Sequence, residues 1–256
     1  MAYTNSSLVS YTKLSPNHSG TRTHSIDRIT PHCVVGQLSA ESICGCFTST
    51  SRQASCNYGI GKDGRISLCV EEKNRSWCSS SAANDQRAVT IECASDAKEP
   101  YAMNSSVYNS LVKLCTDICR RNGKKKLLWL GDKTRTLNYS PKSDEMVLTV
   151  HRWFANKSCP GTWLYSRLSD LASKVTANLG GSSSISASSS LPYRVRVSIT
   201  DLNIRKGPGT NYARTGKYTG KGVFTIVAES SGTGASKWGK LKSGAGWISL
   251  DYAKKI

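Results

Sequence analysis

The chain has no long apolar run. None of its 256 residues falls in a stretch approaching the ~20 consecutive apolar residues that cross a bilayer, which excludes a spanning helix. Met1 to Thr30 is polar and lacks the apolar core of a secretory leader. The expectation is a protein made and folded in the cytosol, which reaches an external substrate only after something else lets it out. Acidic residues are scarce, 17 against 35 Lys and Arg, for a net charge of +18. Such an excess calls for an anionic partner: nucleic acid, anionic lipid or a polyanionic wall polymer. The basic residues form no compact stripe. Lys124, Lys125 and Lys126 are the one short run, and they sit where a helix ends, which argues against nucleic acid. No Cys-x-x-Cys pair occurs, so zinc-finger spacing is absent.

Cysteine itself is plentiful, with ten residues at 33, 44, 46, 56, 69, 78, 93, 115, 119 and 159. In a chain expected to fold under reducing conditions these read as small buried apolar residues rather than disulfides. Cys115 and Cys119, four apart in a helical pattern, share one face and read as core. Cys44-Gly-Cys46 has no role that the pattern explains.

The clearest boundary is Asn178-Leu-Gly-Gly-Ser-Ser-Ser-Ile-Ser-Ala-Ser-Ser-Ser190, a Gly/Ser tether too poor in apolar residues to fold. It sets off a domain at 1–177, a linker at 178–190 and a second domain at 191–256. The first part alternates strand and helix signals. Ile29 to Gln37, Ala88 to Ala94, Leu127 to Leu130 and Met146 to Val150 read as strands. Tyr58 to Val70 reads as a hairpin turning at Lys62-Asp63-Gly64. Ser105 to Asn122, capped by Asn104 or Ser105, and Trp163 to Val175 read as amphipathic helices. This predicts an α/β fold, a mixed central sheet flanked by helices. The last part is rich in glycine and short β runs without a helical period, and predicts a small all-β barrel. From Tyr193 to Ile256 there are 12 Lys/Arg against 3 Asp/Glu, half of the net charge.

Only four histidines occur. His18 and His24 lie in the polar leader and read as surface-loop residues. His32 lies in an apolar strand and His151 ends another. After His151 comes Arg-Trp-Phe-Ala-Asn-Lys157-Ser-Cys159-Pro-Gly. A cysteine eight residues past a strand-end histidine, locked by Pro-Gly, is spaced to fold back to the same point. Two His and one Cys make a three-ligand set that leaves zinc's fourth position open.

The His151 segment resembles the C-terminal signature of the amidase-2 family, related to the peptidoglycan recognition proteins and the phage amidase lysozymes. Further matches follow in the family's order: His32 after an early strand, Tyr58 in Asn57-Tyr-Gly-Ile-Gly-Lys-Asp-Gly-Arg65, and Glu92 closing Val-Thr-Ile-Glu. The resemblance spans about 130 residues. It implies zinc bound by His32, His151 and Cys159, with Glu92 as general base. It implies Lys157 and Tyr58 as oxyanion stabilisers, and cleavage of the amide between N-acetylmuramic acid and L-alanine. Trp77-Cys-Ser-Ser-Ser81 resembles the stretch bordering the substrate groove, which makes Trp77 a substrate contact. Residues 193–256 resemble a bacterial SH3-type domain through Leu202-Asn-Ile-Arg-Lys-Gly-Pro-Gly-Thr-Asn-Tyr212 and Gly246-Trp-Ile-Ser-Leu-Asp-Tyr252. That implies a wall-binding module, with Tyr212, Tyr218 and Trp238 as candidate contacts.

The implied protein is an endolysin or autolysin, similar in form to the clostridial phage lysins and released by a holin. Its partners would be Gram-positive peptidoglycan and wall teichoic acid. Two readings compete: a Cys/His wall peptidase pairing Cys33 or Cys56 with His151, and a recognition protein that binds wall without cutting it.

Overall fold

In the computed structural model, which describes residues 3–180 and 192–256, the chain divides into two compact units between Ser183 and Ser184. The first unit runs β1 (Val9–Thr12), β2 (His18–Thr21), β3 (Arg28–Cys33), α1 (Ala40–Gly45), β4 (Tyr58–Ile60) and β5 (Ile66–Leu68). It continues through β6 (Asn74–Ser76), α2 (Ala82–Arg87), β7 (Ala88–Cys93), α3 (Ser105–Arg121) and β8 (Lys126–Leu128). α4 (Lys133–Leu137), β9 (Glu145–Leu148), α5 (Gly161–Tyr165) and α6 (Leu168–Asn178) complete it. Seven strands form one sheet in the order β1-β5-β4-β7-β3-β9-β8, while β2 and β6 pair separately. β4, β7, β3, β9 and β8 are parallel, and β5 is antiparallel to β4. This is the expected α/β class.

The two faces of the sheet follow from strand periodicity. Val89, Ile91 and Cys93 alternate with Thr90 and Glu92, so β7 presents apolar residues to one side and polar residues to the other. On the apolar side α3, α5 and α6 supply Val107, Leu111, Leu114, Cys115, Ile118, Leu164, Leu168, Leu171 and Val175 to the main core. On the other side α1 packs over β4 so closely that a Cβ on Gly59 would lie 2.6 Å from Ile43 Cγ2. Register then lines up the polar row: Gly59 opposite Glu92, and Glu92 opposite His32.

Several expectations need correction. The strand expected over Ile29–Gln37 stops at Cys33, because Val35 turns the backbone to φ 60°. The helix expected over Trp163–Val175 is two helices, α5 and α6, separated at Ser166 and Arg167. The polar leader is structured. β1 pairs parallel with β5, His18 lies on β2, and Arg22 is buried. Its guanidinium donates to the carbonyls of Glu72 and Asp85 and to Asn57 Oδ1. Cys44 and Cys69 form a disulfide tying α1 to the segment after β5, against the expectation that the cysteines are unpaired. Cys115 and Cys119 are core residues.

The second unit holds β10 (Tyr193–Val197), β11 (Asn203–Arg205), β12 (Arg214–Tyr218), β13 (Gly222–Gly232), β14 (Ala235–Leu241), β15 (Trp247–Ser249) and β16 (Ala253–Lys255). They form one antiparallel sheet in the order β12-β11-β15-β14-β13-β10-β16. Val195, Val197, Leu202, Ile204, Ile226, Leu241 and Ile248 form its core. Of the linker expected at 178–190, residues 181–190 lie outside the described residues, and Asn178 is the last residue of α6. Among the described residues no helix is long and apolar enough to cross a membrane.

Candidate active site and metal centre

Three chain segments converge on the polar face at the carboxyl ends of β3, β7 and β9. His32, near the end of β3, is 1% exposed. His151 opens the short turn that follows β9, and Cys159 returns from the loop after it. Cys159 Sγ lies 3.3 Å from His32 Nδ1, and the rings of His32 and His151 are 5.1 Å apart. One donor atom from each of His32, His151 and Cys159 falls within 4.8 Å of the other two. The fold-back holds because the Arg152 amide donates to the Cys159 carbonyl at 3.1 Å, and the Arg152 guanidinium donates to the Ser158 carbonyl.

Glu92 sits beside this group, with Oε1 4.0 Å from His32 Nδ1 and a side chain 14% exposed. It lies on an interior strand of the sheet. Burial pushes its carboxyl up to about 7, against the opposing pull of Arg52 and the Cys78 thiol. Burial, then the neighbouring His151, pushes His32 down to about 3. His151 is lowered by burial and then by the charge of Lys157, an exposed residue. The Cys159 thiol is raised by its contact with the Cys33 thiol and by burial. His32 Nε2 and Glu92 Oε2 are buried without a hydrogen-bond partner.

This donor set fits one zinc ion. Two imidazoles held neutral and one sulfur, converging from three segments, match the ligand types zinc prefers and leave a coordination position free. The orphaned polar atoms on His32 and Glu92 have a partner only if something further binds there.

The loop expected to border a substrate groove, residues 77–81, closes one side. Asp85, in the first turn of α2, accepts the amides of Cys78 (3.0 Å) and Ser79 (3.2 Å) and so clamps residues 77–81. Ser80 takes a left-handed conformation, φ 61°, and its hydroxyl lies 2.9 Å from His151 Nε2. Cys78 Sγ lies 3.9 Å from Glu92 Oε1. The available signal was Ser81 followed by Asn84 and Asp85, a helix N-terminus set to bind upstream amides. Two hollows border this loop. One, about 450 Å³, is lined by Trp77, Cys78, Ser80, Arg75 and His151. The other, about 640 Å³, is lined by Ser80, Arg28, Arg87, Lys133, Trp153 and Phe154. Trp77 therefore lines the first of these hollows, its Nε1 donating to Ser19 Oγ at 2.6 Å.

Tyr58 is a correction. It is 0% exposed, and its hydroxyl accepts from the Ser6 amide (2.8 Å) and donates to Glu72 Oε1 (2.6 Å). It pairs in register with Ile91, on the opposite face from Glu92, so it cannot meet an oxyanion formed there. In the second unit Tyr212 and Tyr218 are exposed, but Trp238 is 2% exposed, so it offers no open contact surface. Its ring lies in the wall of a 380 Å³ hollow with Arg205, Asp201 and Tyr252. Tyr252 is an exposed aromatic that the sequence reading did not choose as a contact.

The family model described as N-acetylmuramoyl-L-alanine amidase matches residues 22–162. No curated protein matches the chain. Among solved structures, a selenomethionine derivative of AmpD is 16% identical, with 67% of this chain and 99% of that one covered at a TM-score of 0.48. The Ph2119 endolysin from Thermus scotoductus MAT2119 bacteriophage Ph2119 is 13% identical, covering 59% and 88%, TM-score 0.42. The N-acetylmuramoyl-L-alanine amidase LysCS from Clostridium intestinale URNW is 14% identical, covering 68% and 97%, TM-score 0.40.

Proposed function

The chain belongs to the N-acetylmuramoyl-L-alanine amidase family, and from that premise we propose that it is a zinc-dependent peptidoglycan hydrolase of the endolysin or autolysin type. It would cut the amide between the lactyl group of N-acetylmuramic acid and L-alanine of the stem peptide. The observation that carries this reading is the convergence of His32, His151 and Cys159 beside a raised Glu92 carboxyl.

His32, His151 and Cys159 would hold the ion. Zinc, when bound, supplies a Lewis acid that lowers the pKa of its water toward ~7 and polarises the scissile carbonyl. Glu92, poised near neutrality, takes the proton of the attacking water and returns it to the leaving amine. Lys157 brings a positive charge toward the carbonyl oxygen as negative charge develops there. The hollows on either side of Ser80 give room for glycan and peptide, with Trp77 offering an indole face to a sugar.

The contact of Cys159 with His32 also suits a thiol peptidase. However, the Cys159 thiol is raised, opposite to the shift that makes a thiolate nucleophile. Cys56 is buried and its thiol likewise pushed up by burial.

The domain division 1–177, 178–190 and 191–256 belongs to the same proposal, with the last part an SH3-type wall-binding module. Its support is an antiparallel sheet with a charge of +9 and exposed Tyr212, Tyr218 and Tyr252. Gram-positive peptidoglycan and anionic teichoic acid would be the partners. A tether would raise the enzyme's effective concentration at an insoluble substrate. In the endolysin form the protein acts on the wall after holin-type release.

The test is digestion of purified Gram-positive walls with and without chelator, assayed for new N-termini and new reducing ends. New N-terminal alanine without reducing ends, lost with chelator and restored by zinc, is the expected result. Chelator-resistant cleavage within the peptide would replace the zinc reading with a thiol peptidase.

A further inference from the structure

The two hollows that share Ser80 differ in charge. The one of about 640 Å³ is lined by Arg28, Arg87 and Lys133, and among the described residues no Asp or Glu lines it. The one of about 450 Å³ sets Arg75 against Asp85 and carries the Trp77 indole. Ser80 stands at both, its hydroxyl 2.9 Å from His151 Nε2, so each hollow opens beside the candidate metal centre. Arg28 opens β3 and is 6% exposed, yet among the described residues it pairs with no carboxylate. Its Nη1 donates to the neutral Asn84 Oδ1 at 3.2 Å. The adjacent Asp27 is engaged by Arg87, whose Nε donates to both of its oxygens, at 2.8 and 3.1 Å. Burial, then the Arg87 charge, holds the Arg28 guanidinium below its ordinary value. Lys133 is exposed and likewise without an ion pair among the described residues. A cation taken out of water without an opposite charge costs free energy, which an anionic ligand would offset. Trp153, Phe154 and Leu137 add apolar surface, which suits an anionic group carried on a carbon chain.

We propose that this hollow takes the stem peptide of the substrate by a free carboxylate, which Arg28 binds with help from Lys133. The muramyl sugar then lies on the Trp77 side, and the substrate crosses Ser80 in one direction. N-acetylated sugars are uncharged, whereas the stem peptide carries the carboxylates, so the charge difference between the hollows sets that direction. The inference rests on the amidase reading and adds to it which end of the substrate each hollow holds.

The test uses the full zinc-loaded chain carrying Glu92→Gln, to slow turnover. The probes are N-acetylmuramyl-L-alanyl-γ-D-glutamyl-L-lysine and the same molecule with both carboxylates converted to amides. Calorimetry gives the dissociation constant of each. The free acid should bind at least about ten-fold more tightly, as a hydrogen-bonded charge should. Adding Arg28→Gln should bring that preference down to the roughly two- to five-fold that an exposed pair with Lys133 supplies. Adding Lys133→Gln instead should lower it by about that same factor, and this exposed position keeps the test open if Arg28→Gln fails to fold. Equal binding of acid and amide by the parent overturns the proposal, as does a preference undiminished in either variant. Inorganic phosphate binding as tightly as the acid would make the hollow a general anion site and overturns it too. Wall hydrolysis by the unmodified chain separates the two readings. Hydrolysis with equal binding, or with none, removes the carboxylate site alone. An acid preference without hydrolysis removes the amidase and leaves a peptide-binding hollow, and loss of both removes both.

Discussion

Tyr58→Phe should damage stability and spare catalysis. The phenol is buried and holds two partners, accepting from the Ser6 amide at 2.8 Å and donating to Glu72 Oε1 at 2.6 Å. Phenylalanine keeps the ring and leaves no cavity, so only the hydroxyl's bonds are lost. A hydrogen bond to a carboxylate contributes about 1.5–3 kcal/mol, and an orphaned buried amide costs about 1–3 kcal/mol. Glu72 keeps both of its bonds from Arg121, at 2.6 and 3.1 Å, which limits the loss on that side. The expected cost is about 2–4 kcal/mol, or a fall on the order of 10 °C in the melting transition of a unit this size. The assay is differential scanning calorimetry of the full chain, read at the transition of the first unit. Wall hydrolysis is measured alongside, well below that transition, where activity should stay within about two-fold of wild type, an effect under ~0.5 kcal/mol. A ten-fold loss of activity with an unchanged transition would mean that the hydroxyl reaches the reacting carbonyl, and the placement of Tyr58 on the far face would be wrong.

Three further outcomes follow from the site and its supports. Glu92→Gln should lower the turnover number by roughly 10²–10⁴-fold while zinc content, measured by mass spectrometry, stays at one ion per chain; full activity would remove Glu92 as the base. Breaking the Cys44–Cys69 disulfide, by reductant or by Cys44→Ser with Cys69→Ser, opens a separation of 25 residues. The chain-entropy relation then gives a loss of about 3.5 kcal/mol, checked by denaturant unfolding with and without reductant; coincident curves would refute the bond's contribution. Trp77→Ala should weaken wall hydrolysis mainly through binding, raising the substrate concentration at half-maximal rate more than it lowers turnover; unchanged hydrolysis would take Trp77 out of the groove.

The α/β class, the hairpin and α3 were legible because each has a strong local cause. The hairpin turns at Gly64, whose φ of 86° suits glycine, and Asn104 accepts the Val107 amide at the start of α3. The strands of the polar leader escaped notice because their alternation is too short to stand out: in β1 only Val9 and Tyr11 alternate with exposed Ser10 and Thr12. β1 and β2 are short and half-exposed, and they are held by partners 50 or more residues away: β5, β6 and the carbonyls that Arg22 binds. The disulfide was missed for a similar reason. Inferring a compartment from the first thirty residues says nothing about whether Cys44 and Cys69 meet, and they meet because α1 lies over the end of β5.

The candidate metal ligands and Tyr58 share one family resemblance, yet the structure treats them differently, and sheet parity explains why. His32 and Glu92 lie on adjacent parallel strands in direct register, so their side chains must share a face. His151 and Cys159 follow β9 in a loop, where no alternation constrains them, and backbone bonds from Arg152 bring the two together. Tyr58 lies on β4 in register with Ile91, one residue out of phase with Glu92. A one-residue slip of that pairing would turn its hydroxyl toward the metal centre. Motif order does not encode the register of β4 against β7. In the register that forms, the position level with Glu92 belongs to Gly59, where Ile43 of α1 leaves no room for a side chain. No side chain from β4 therefore stands level with Glu92 on that face.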